Sequence, residues 1–127
     1  MRTGHEERIG IHSYVSDSDL AALYDRASVF AFLSEYEGFG LTPLDALAAG
    51  VPIVVLDTEV AREIYGPAAI YVESPQPALV RAALETALFD DGERRRLLEA
   101  APQVLERYSW QESARRTLQV LLAAAGS

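Results

Sequence analysis

Short apolar runs alternate with helical patterns along the first half of this chain, and this alternation narrows the folds that it can adopt. The runs at residues 9–15, 29–33, 52–56 and 69–72 have the length and the β-rich composition of strands. Segments with helical spacing separate them. This order is typical of a parallel sheet with crossover helices, so we predict an α/β fold with a partial doubly wound (Rossmann-like) parallel sheet of about four strands.

The rest of the chain carries only helical patterns. They lie near residues 76–89, 93–106 and 111–125, and they predict a C-terminal helical segment over about 76–125. Pro102 lies in the second pattern, where proline bends or ends a helix. A doubly wound domain usually has about five or six strands, so we expect this chain to be part of a larger domain.

Two helix starts can be placed from capping residues. Ser16 followed by Asp19 has the spacing of a capping box and predicts a helix directly after Ser16. Thr42 followed by Pro43 predicts a second start, with a hydroxyl cap and proline in the first helical position. Gly50 then closes that helix after about two turns.

Composition restricts the chemistry that is open to the chain. Its 127 residues are half apolar, which suits one packed domain. All 11 basic residues are arginine, so no lysine is present to bind phosphate or to form a Schiff base. The formal net charge of −8 argues against nucleic acid and anionic membranes as partners.

Metal sites and membrane segments are also disfavoured. No cysteine is present, and His5 and His12 are too few for a histidine-based zinc site, so we expect no metal. No apolar run has the length of about 18 to 20 residues that a membrane span needs, and residues 1–10 lack a secretory apolar segment. We therefore expect a cytoplasmic protein.

The loop between the second and third strand runs is a candidate binding site. Glycines at 38 and 40 flank Phe39 and let a ligand approach the main chain closely. The amides of residues 40–44 lie at a predicted helix start, which favours an anion such as a diphosphate. A tight strand-to-helix turn that uses glycine only for its geometry would produce the same pattern.

Two acids, Glu37 and Asp45, frame this loop. A carboxylate next to a phosphate is unfavourable unless it accepts hydrogen bonds from hydroxyls of the same ligand, so the pair suits a sugar nucleotide. Each acid also has a structural alternative. Asp45 has the spacing of a capping-box partner of Thr42, and Glu37 is equally compatible with a solvated loop acid.

Residues 34–54, SEYEGFGLTPLDALAAGVPIV, closely resemble a known signature. It is the donor-binding signature of the retaining GT-B glycosyltransferases of group 1, often called family 4. The resemblance extends from about residue 9 to residue 121 and includes Tyr14-Val15-Ser16-Asp17, residues 20–24, Glu63 and Tyr108-Ser109-Trp110. The resemblance identifies residues 1–127 as part of a C-terminal donor-nucleotide-binding domain. It implies that the first two βα units of that domain and the whole N-terminal acceptor domain lie outside this sequence.

The resemblance also implies roles for individual residues. Glu37 matches the acid that contacts hydroxyls of the donor hexose, and it is the candidate catalytic residue. Asp45 matches an acid, usually glutamate, that binds the ribose. The glycine-rich turn that donates main-chain N–H groups to the diphosphate and the sugar matches Gly38, Phe39, Gly40, Leu41 and Thr42. The turn that touches the base matches Ser13, Tyr14 and Val15.

The implied function is transfer of a sugar from a nucleoside diphosphate sugar to an acceptor with retention of configuration. No cofactor is implied beyond this donor substrate, and the leaving diphosphate is stabilised by loop amides and not by a metal. We expect this chain alone to be inactive, because the basic pair that holds the donor phosphates and the acceptor domain lie outside it. The alternative is a non-catalytic nucleotide-sugar-binding or assembly module, whether a fragment, a remnant or one piece of a split enzyme.

The sheet edge predicts a further partner. If the first two strands of the family's sheet are absent, the strand at 29–33 has an unpaired edge, and we expect a second copy of the chain to cover it. Edge pairing, or exchange of residues 9–15 between two copies, would form such a homo-oligomer or domain-swapped dimer. In the alternative arrangement, residues 9–15 move beside residues 29–33 of the same chain.

Three other residues have simpler interpretations. Asp57 follows the third strand run, where a phosphorylated receiver domain has its acceptor, but a receiver also needs a lysine and this chain has none. Tyr108 and Trp110 are predicted to pack the last helix against the domain.

Overall fold

The computed structural model describes residues 8–126, which form a parallel β-sheet with helices on both faces. The elements in chain order are α1 Asp17–Arg26, β1 Phe30–Phe32, α2 Leu41–Ala48, β2 Ile53–Leu56, α3 Glu59–Tyr65, β3 Ala69–Val72, α4 Pro77–Phe89, α5 Asp91–Leu105 and α6 Trp110–Ala125. A short 3₁₀ turn, Gly66–Ala68, joins α3 to β3. The predicted α/β class and the C-terminal helical segment are confirmed.

The sheet has three strands in the order β1-β2-β3, and both pairings are parallel. Every residue of the central strand β2 is buried, as expected for a parallel strand with helices on both faces. Ile53 and Val55 face a cluster that includes residues of α2, α3 and α5, whereas Val54 faces α4 on the opposite side. Alternate side chains of β2 therefore contribute to core clusters on opposite faces of the sheet.

The described sheet has three strands where about four were predicted, because residues 9–15 form no strand. Ile11 in this segment is 91% exposed. An apolar run becomes a strand only if a neighbouring strand accepts and donates its backbone hydrogen bonds, and this segment pairs with none of the three strands described. The alternative in which residues 9–15 move beside β1 is wrong for the same reason.

One predicted helix start is confirmed and the other is wrong. Ser16 caps α1, since its Oγ accepts the N–H of Asp19 at 3.2 Å. The cap of α2 is Gly40, so Thr42 and Pro43 are the second and third helical residues. Proline is tolerated throughout a first turn, where N–H groups have no acceptor within the helix, and it does not by itself fix the first position.

The end of α2 follows the prediction. Gly50 has the positive φ of +76° that a closing glycine takes, and the helix is 8 residues long. Pro102 lies inside α5, which continues for three residues to Leu105.

The two outer helices differ from the interior ones. Neither α1 nor α6 contains a buried residue. Tyr24 and Ala27 of the α1 segment do pack against the core, while most apolar side chains of α6 face outward. Among the described helices, none is both long enough and apolar enough to cross a membrane.

Candidate functional site

The loop between β1 and α2 starts at the carboxyl end of a parallel strand, which is where such sheets bind ligands. Of its two glycines, Gly40 has a positive φ of +88° and Gly38 does not. A Cβ at Gly38 would meet nothing within 4 Å, so the fold does not require glycine there. At Gly40, by contrast, both the backbone conformation and the contact with Tyr65 require glycine.

The first turn of α2 offers N–H groups to a ligand. Gly40 has no side chain with which to cap the helix. The N–H groups of Leu41 and Thr42 lie in the first turn, where no carbonyl of the helix can accept them, and the helix dipole favours an anion there. Pro43 is the third helical residue and has no N–H. The anion site predicted at residues 40–44 therefore has fewer N–H donors than expected. The N–H groups of Leu41 and Thr42 are at its centre.

Tyr65, at the end of α3, forms a hydrogen bond with the residue that caps this turn. Its Oη donates a hydrogen bond to the carbonyl oxygen of Gly40 at 2.7 Å, and the side chain is 2% exposed. Burial raises the pKa of Tyr65 to about 12, and the negative charge of Glu37 adds to the effect. The hydroxyl therefore stays protonated and donating at neutral pH. This residue was not among those predicted, since only an apolar helical pattern marks its position in the sequence.

Glu37 lies beside the same loop, at the carboxyl ends of β1 and β2. Its Oε1 accepts a hydrogen bond from the Ser34 hydroxyl at 2.9 Å, and its side chain is exposed. With Phe32, Ser34 and Tyr65 it lines a small cavity of about 20 Å³. A carboxylate so placed can accept hydrogen bonds from ligand hydroxyls.

Asp45 borders a different cavity. It is the fifth residue of α2 and lines a cleft of about 650 Å³ between α2 and the start of α6. Its capping-box interpretation is wrong, because Thr42 does not cap the helix. Burial and, second, the charge of Asp45 raise the pKa of Tyr24. The structure thus places the two predicted acids in separate cavities.

Phe39 joins these two cavities, because it lines both of them. Its ring meets the ring of Tyr108 edge-on, with 5.0 Å between the ring centroids. Tyr108 in turn packs against the core, as predicted. Trp110 is 81% exposed, so the prediction that it packs the last helix is wrong within the described chain.

The predicted base-binding turn lines neither of these two cavities. Ser13, Tyr14 and Val15 form a segment without helix or strand directly before α1, and Tyr14 is exposed. Neither the cavity beside Glu37 nor the cleft beside Asp45 includes any of the three among its described lining residues.

Asp57 makes an ion pair at the end of β2. Its two carboxylate oxygens accept bonds from Arg62, each at 2.7 Å, and the guanidinium lies 3.9 Å from the centre of the Tyr71 ring. These hydrogen bonds lower the pKa of Asp57 and raise that of Arg62. Within residues 8–126, no three acidic or histidine side chains are grouped to hold a metal ion, and His5 lies outside that range.

Most of this chain is similar in sequence to known proteins. The family described as "Glycosyl transferases group 1" matches residues 2–104. The chain is 31% identical over 105 residues to O-antigen chain mannosyltransferase B of Escherichia coli, an alignment that covers 83% of this chain and 28% of that protein. It is 35% identical over 107 residues to D-inositol 3-phosphate glycosyltransferase of Corynebacterium urealyticum, covering 80% and 24%.

A third relative is similar over more of the chain. MMP alpha-(1->4)-mannosyltransferase of Mycolicibacterium hassiacum is 35% identical over 121 residues, which is 92% of this chain and 29% of that protein. The chain therefore spans less than a third of the length of each of these three relatives.

Proposed function

This chain belongs to the group 1 glycosyl transferases, and from that membership we propose that it forms part of the donor site of a retaining enzyme of GT-B architecture. The donor is a nucleoside diphosphate sugar, and the reaction breaks the bond between its anomeric carbon and the diphosphate. The sugar passes to an acceptor with its anomeric configuration retained. In this proposal the chain is part of the C-terminal domain of the complete enzyme.

The observation that carries the proposal is the glycine-capped start of α2 at the carboxyl edge of the sheet. In this proposal the N–H groups of Leu41 and Thr42, with the positive end of the helix dipole, bind the diphosphate. Negative charge grows on the diphosphate as the sugar leaves, and donors that are already oriented stabilise that charge. No metal or further cofactor is required for this step.

The positions of the two acids suit an extended ligand. A sugar nucleotide has its diphosphate in the middle, with the hexose at one end and the ribose at the other. In this proposal the diphosphate lies at the start of α2, Glu37 binds the hexose, and Asp45, one turn further along the helix, binds the ribose. Their separation into two cavities is then an expected property of the site. Base contacts by Ser13, Tyr14 and Val15 stay a prediction.

The names of the relatives suggest which donor to test first. The relatives from Escherichia coli and Mycolicibacterium hassiacum are both mannosyltransferases. We propose a nucleoside diphosphate hexose as the donor, with mannose as the first candidate sugar.

The second candidate function is a non-catalytic module that binds nucleotide sugars. It is favoured by one feature of the site, since the described residues that line the cavity beside Glu37 include no arginine. The cleft beside Asp45, which Leu41 also lines, does include Arg107 and Arg116, so a diphosphate at the start of α2 would lack a cationic side chain only on the Glu37 side. For the same reason we propose that this chain alone is inactive and binds nucleotides weakly.

The test of the enzymatic proposal uses a full-length relative. Alanine at each of the positions that match Glu37 and Asp45 should lower kcat/KM by about 2 to 4 kcal/mol of transition-state stabilisation, with little loss of stability. Alanine at the position matching Glu35, an exposed acid of the same loop, is the control and should change little. Unaltered kcat/KM in both site variants would contradict the assignment.

A further inference from the structure

The hydroxyl of Tyr65 and the backbone of Gly40 form a close pair across two helices. The residues are 25 positions apart in the chain, yet Oη donates to the Gly40 carbonyl at 2.7 Å. Tyr65 is packed among core residues and cannot swing away without opening the core. The pair therefore ties the cap of α2 to the end of α3.

The fit between the two residues is tight. A Cβ on Gly40 would overlap the Tyr65 hydroxyl oxygen, whereas the next nearest atoms, Cζ of Tyr65 and Cε1 of Phe32, would lie at 3.6 and 3.9 Å. Only the hydroxyl oxygen thus occupies the space that a side chain at position 40 would need. The φ of +88° also favours glycine.

The direction of this hydrogen bond matters for the ligand. The carbonyl of Gly40 and the N–H of Leu41 belong to one planar trans peptide, in which the two groups point in opposite directions. Because Tyr65 binds the carbonyl from inside the protein, the N–H of Leu41 must point outward, into the loop. A hydrogen bond that fixes the direction of the Gly40 carbonyl therefore also fixes the direction of the Leu41 N–H.

We propose that Tyr65 is a positioning residue for the donor site: its hydroxyl orients the Gly40–Leu41 peptide so that the N–H of Leu41 faces the diphosphate. This inference rests on the proposed function of the loop. It adds a residue on α3, outside the loop itself, that determines how tightly the diphosphate of a nucleotide is held.

The test compares Tyr65→Phe with a matched control, Tyr71→Phe. Tyr71 is partly buried, and its Oη also donates to backbone carbonyls, that of Gly66 at 2.7 Å and that of Ala61 at 3.3 Å, neither of which belongs to the loop. Each variant loses one hydroxyl and a comparable hydrogen bond. Amide NMR spectra of the full chain are recorded without ligand and during titration with GDP and with UDP.

Tyr65→Phe should move the amide signals of Leu41 and Thr42 in the ligand-free chain and weaken nucleoside diphosphate binding by roughly threefold to tenfold, the loss of about one hydrogen bond. Tyr71→Phe should leave those signals in place and change the affinity less than about twofold. Unchanged Leu41 and Thr42 signals in Tyr65→Phe, or equal losses of affinity in the two variants, would overturn the proposal.

The experiment separates failure of the proposed function of the loop from failure of the proposed role of Tyr65. If the unsubstituted chain shows no shift with either nucleotide, the proposed function of the loop is contradicted. The role of Tyr65 is then decided by the ligand-free spectra alone, in which displaced Leu41 and Thr42 signals in Tyr65→Phe support it and undisplaced signals overturn it.

A second pair of variants tests the steric fit. Gly40→Ala should lower the melting temperature, because its methyl group overlaps the Tyr65 hydroxyl. In the double variant Gly40→Ala/Tyr65→Phe the melting temperature should rise again toward the value of Tyr65→Phe, although a hydrogen bond has been lost. Additive losses would overturn the tight pairing of the two residues.

Discussion

The interior of this chain and its two ends bury their apolar residues to very different extents. Between α2 and α5, the central strand β2 is buried on both faces and three helices close one core cluster around it. Before and after this interior, α1 and α6 contribute no buried residue. The exposed apolar residues of the two ends include Ile9, Ile11, Leu20, Leu23, Trp110, Leu118, Leu121 and Leu122.

This difference indicates where the stability of the chain resides. Burial of apolar surface is the main favourable term in folding, so the interior should determine the free energy of unfolding and the ends should contribute little. The donor loop is exposed, but Tyr65 and the first turn of α2 attach it to the stable part. The candidate site is therefore built on the interior.

The largest effect is expected in the core. Ile53→Ala removes a fully buried side chain from β2 and should lower the free energy of unfolding by about 2 to 5 kcal/mol, whereas Leu121→Ala in α6 should change it by less than about 0.5 kcal/mol. Urea denaturation measures both. If Ile53→Ala does not fold, Ile53→Val should still cost about 0.5 to 1.5 kcal/mol. Equal losses in the free energy of unfolding for the β2 and α6 variants would contradict the view that the interior contributes more to stability than the ends.

The next effect concerns assembly. β1 pairs with one neighbour among the described strands, and we propose that a second copy of the chain covers its other edge, by edge pairing or by exchange of residues 9–15. Light scattering at several concentrations should then show a dimer. Ile11→Ser should weaken the dimer roughly tenfold if residues 9–15 are exchanged, since it removes an apolar side chain from the new strand. A well-folded monomer at all concentrations would contradict the proposal.

The smallest effect should appear at low pH. Hydrogen bonds from Arg62 lower the folded pKa of Asp57, so this carboxylate stabilises the fold above its unfolded pKa near 3.9, and the contribution is lost as the pH falls through the folded value. Below about pH 4 the melting temperature of the unsubstituted chain should therefore fall more steeply than that of Asp57→Asn. Parallel curves for the two proteins would show that the ion pair does not stabilise the interior.

Glu112 in α6 provides the matching experiment at one end. Hydrogen bonds from Arg115 and Arg116 lower its pKa to about 2. Its protonation between about pH 4 and about pH 2 should reduce helical circular dichroism, with little change in the global melting temperature, because α6 is not buried. A large drop in melting temperature that Glu112→Gln abolishes would contradict the view that α6 contributes little.

The sequence predicted the interior better than the ends for a physical reason. Strand β3 is found at the predicted residues and β2 within one residue, because continuous apolar runs indicate strands that are buried between helices. Residues 9–15 show a similar run without forming a strand. Composition cannot tell whether a neighbouring strand is available, and that depends on the rest of the sheet.

The candidate site, like the sheet, could be predicted only in part from the sequence. Glu37, Asp45 and the glycine loop could be chosen from their spacing and from the family resemblance. The cap of α2 was misplaced because proline is compatible with several first-turn positions, and the positive φ that marks Gly40 is visible only in the structure. Tyr65 could not be predicted, since its role depends on a hydrogen bond between residues distant in the chain.

The most direct test of the central claim, that the start of α2 receives the diphosphate of a nucleotide sugar, is an amide NMR titration of this chain with a nucleoside diphosphate mannose. The claim predicts that the largest shifts occur at Leu41 and Thr42, with a dissociation constant weaker than about 1 μM. Shifts confined to the α6 side of the cleft, such as Trp110 and Glu112, with none at Leu41 and Thr42, would contradict it, as would no shifts at millimolar ligand.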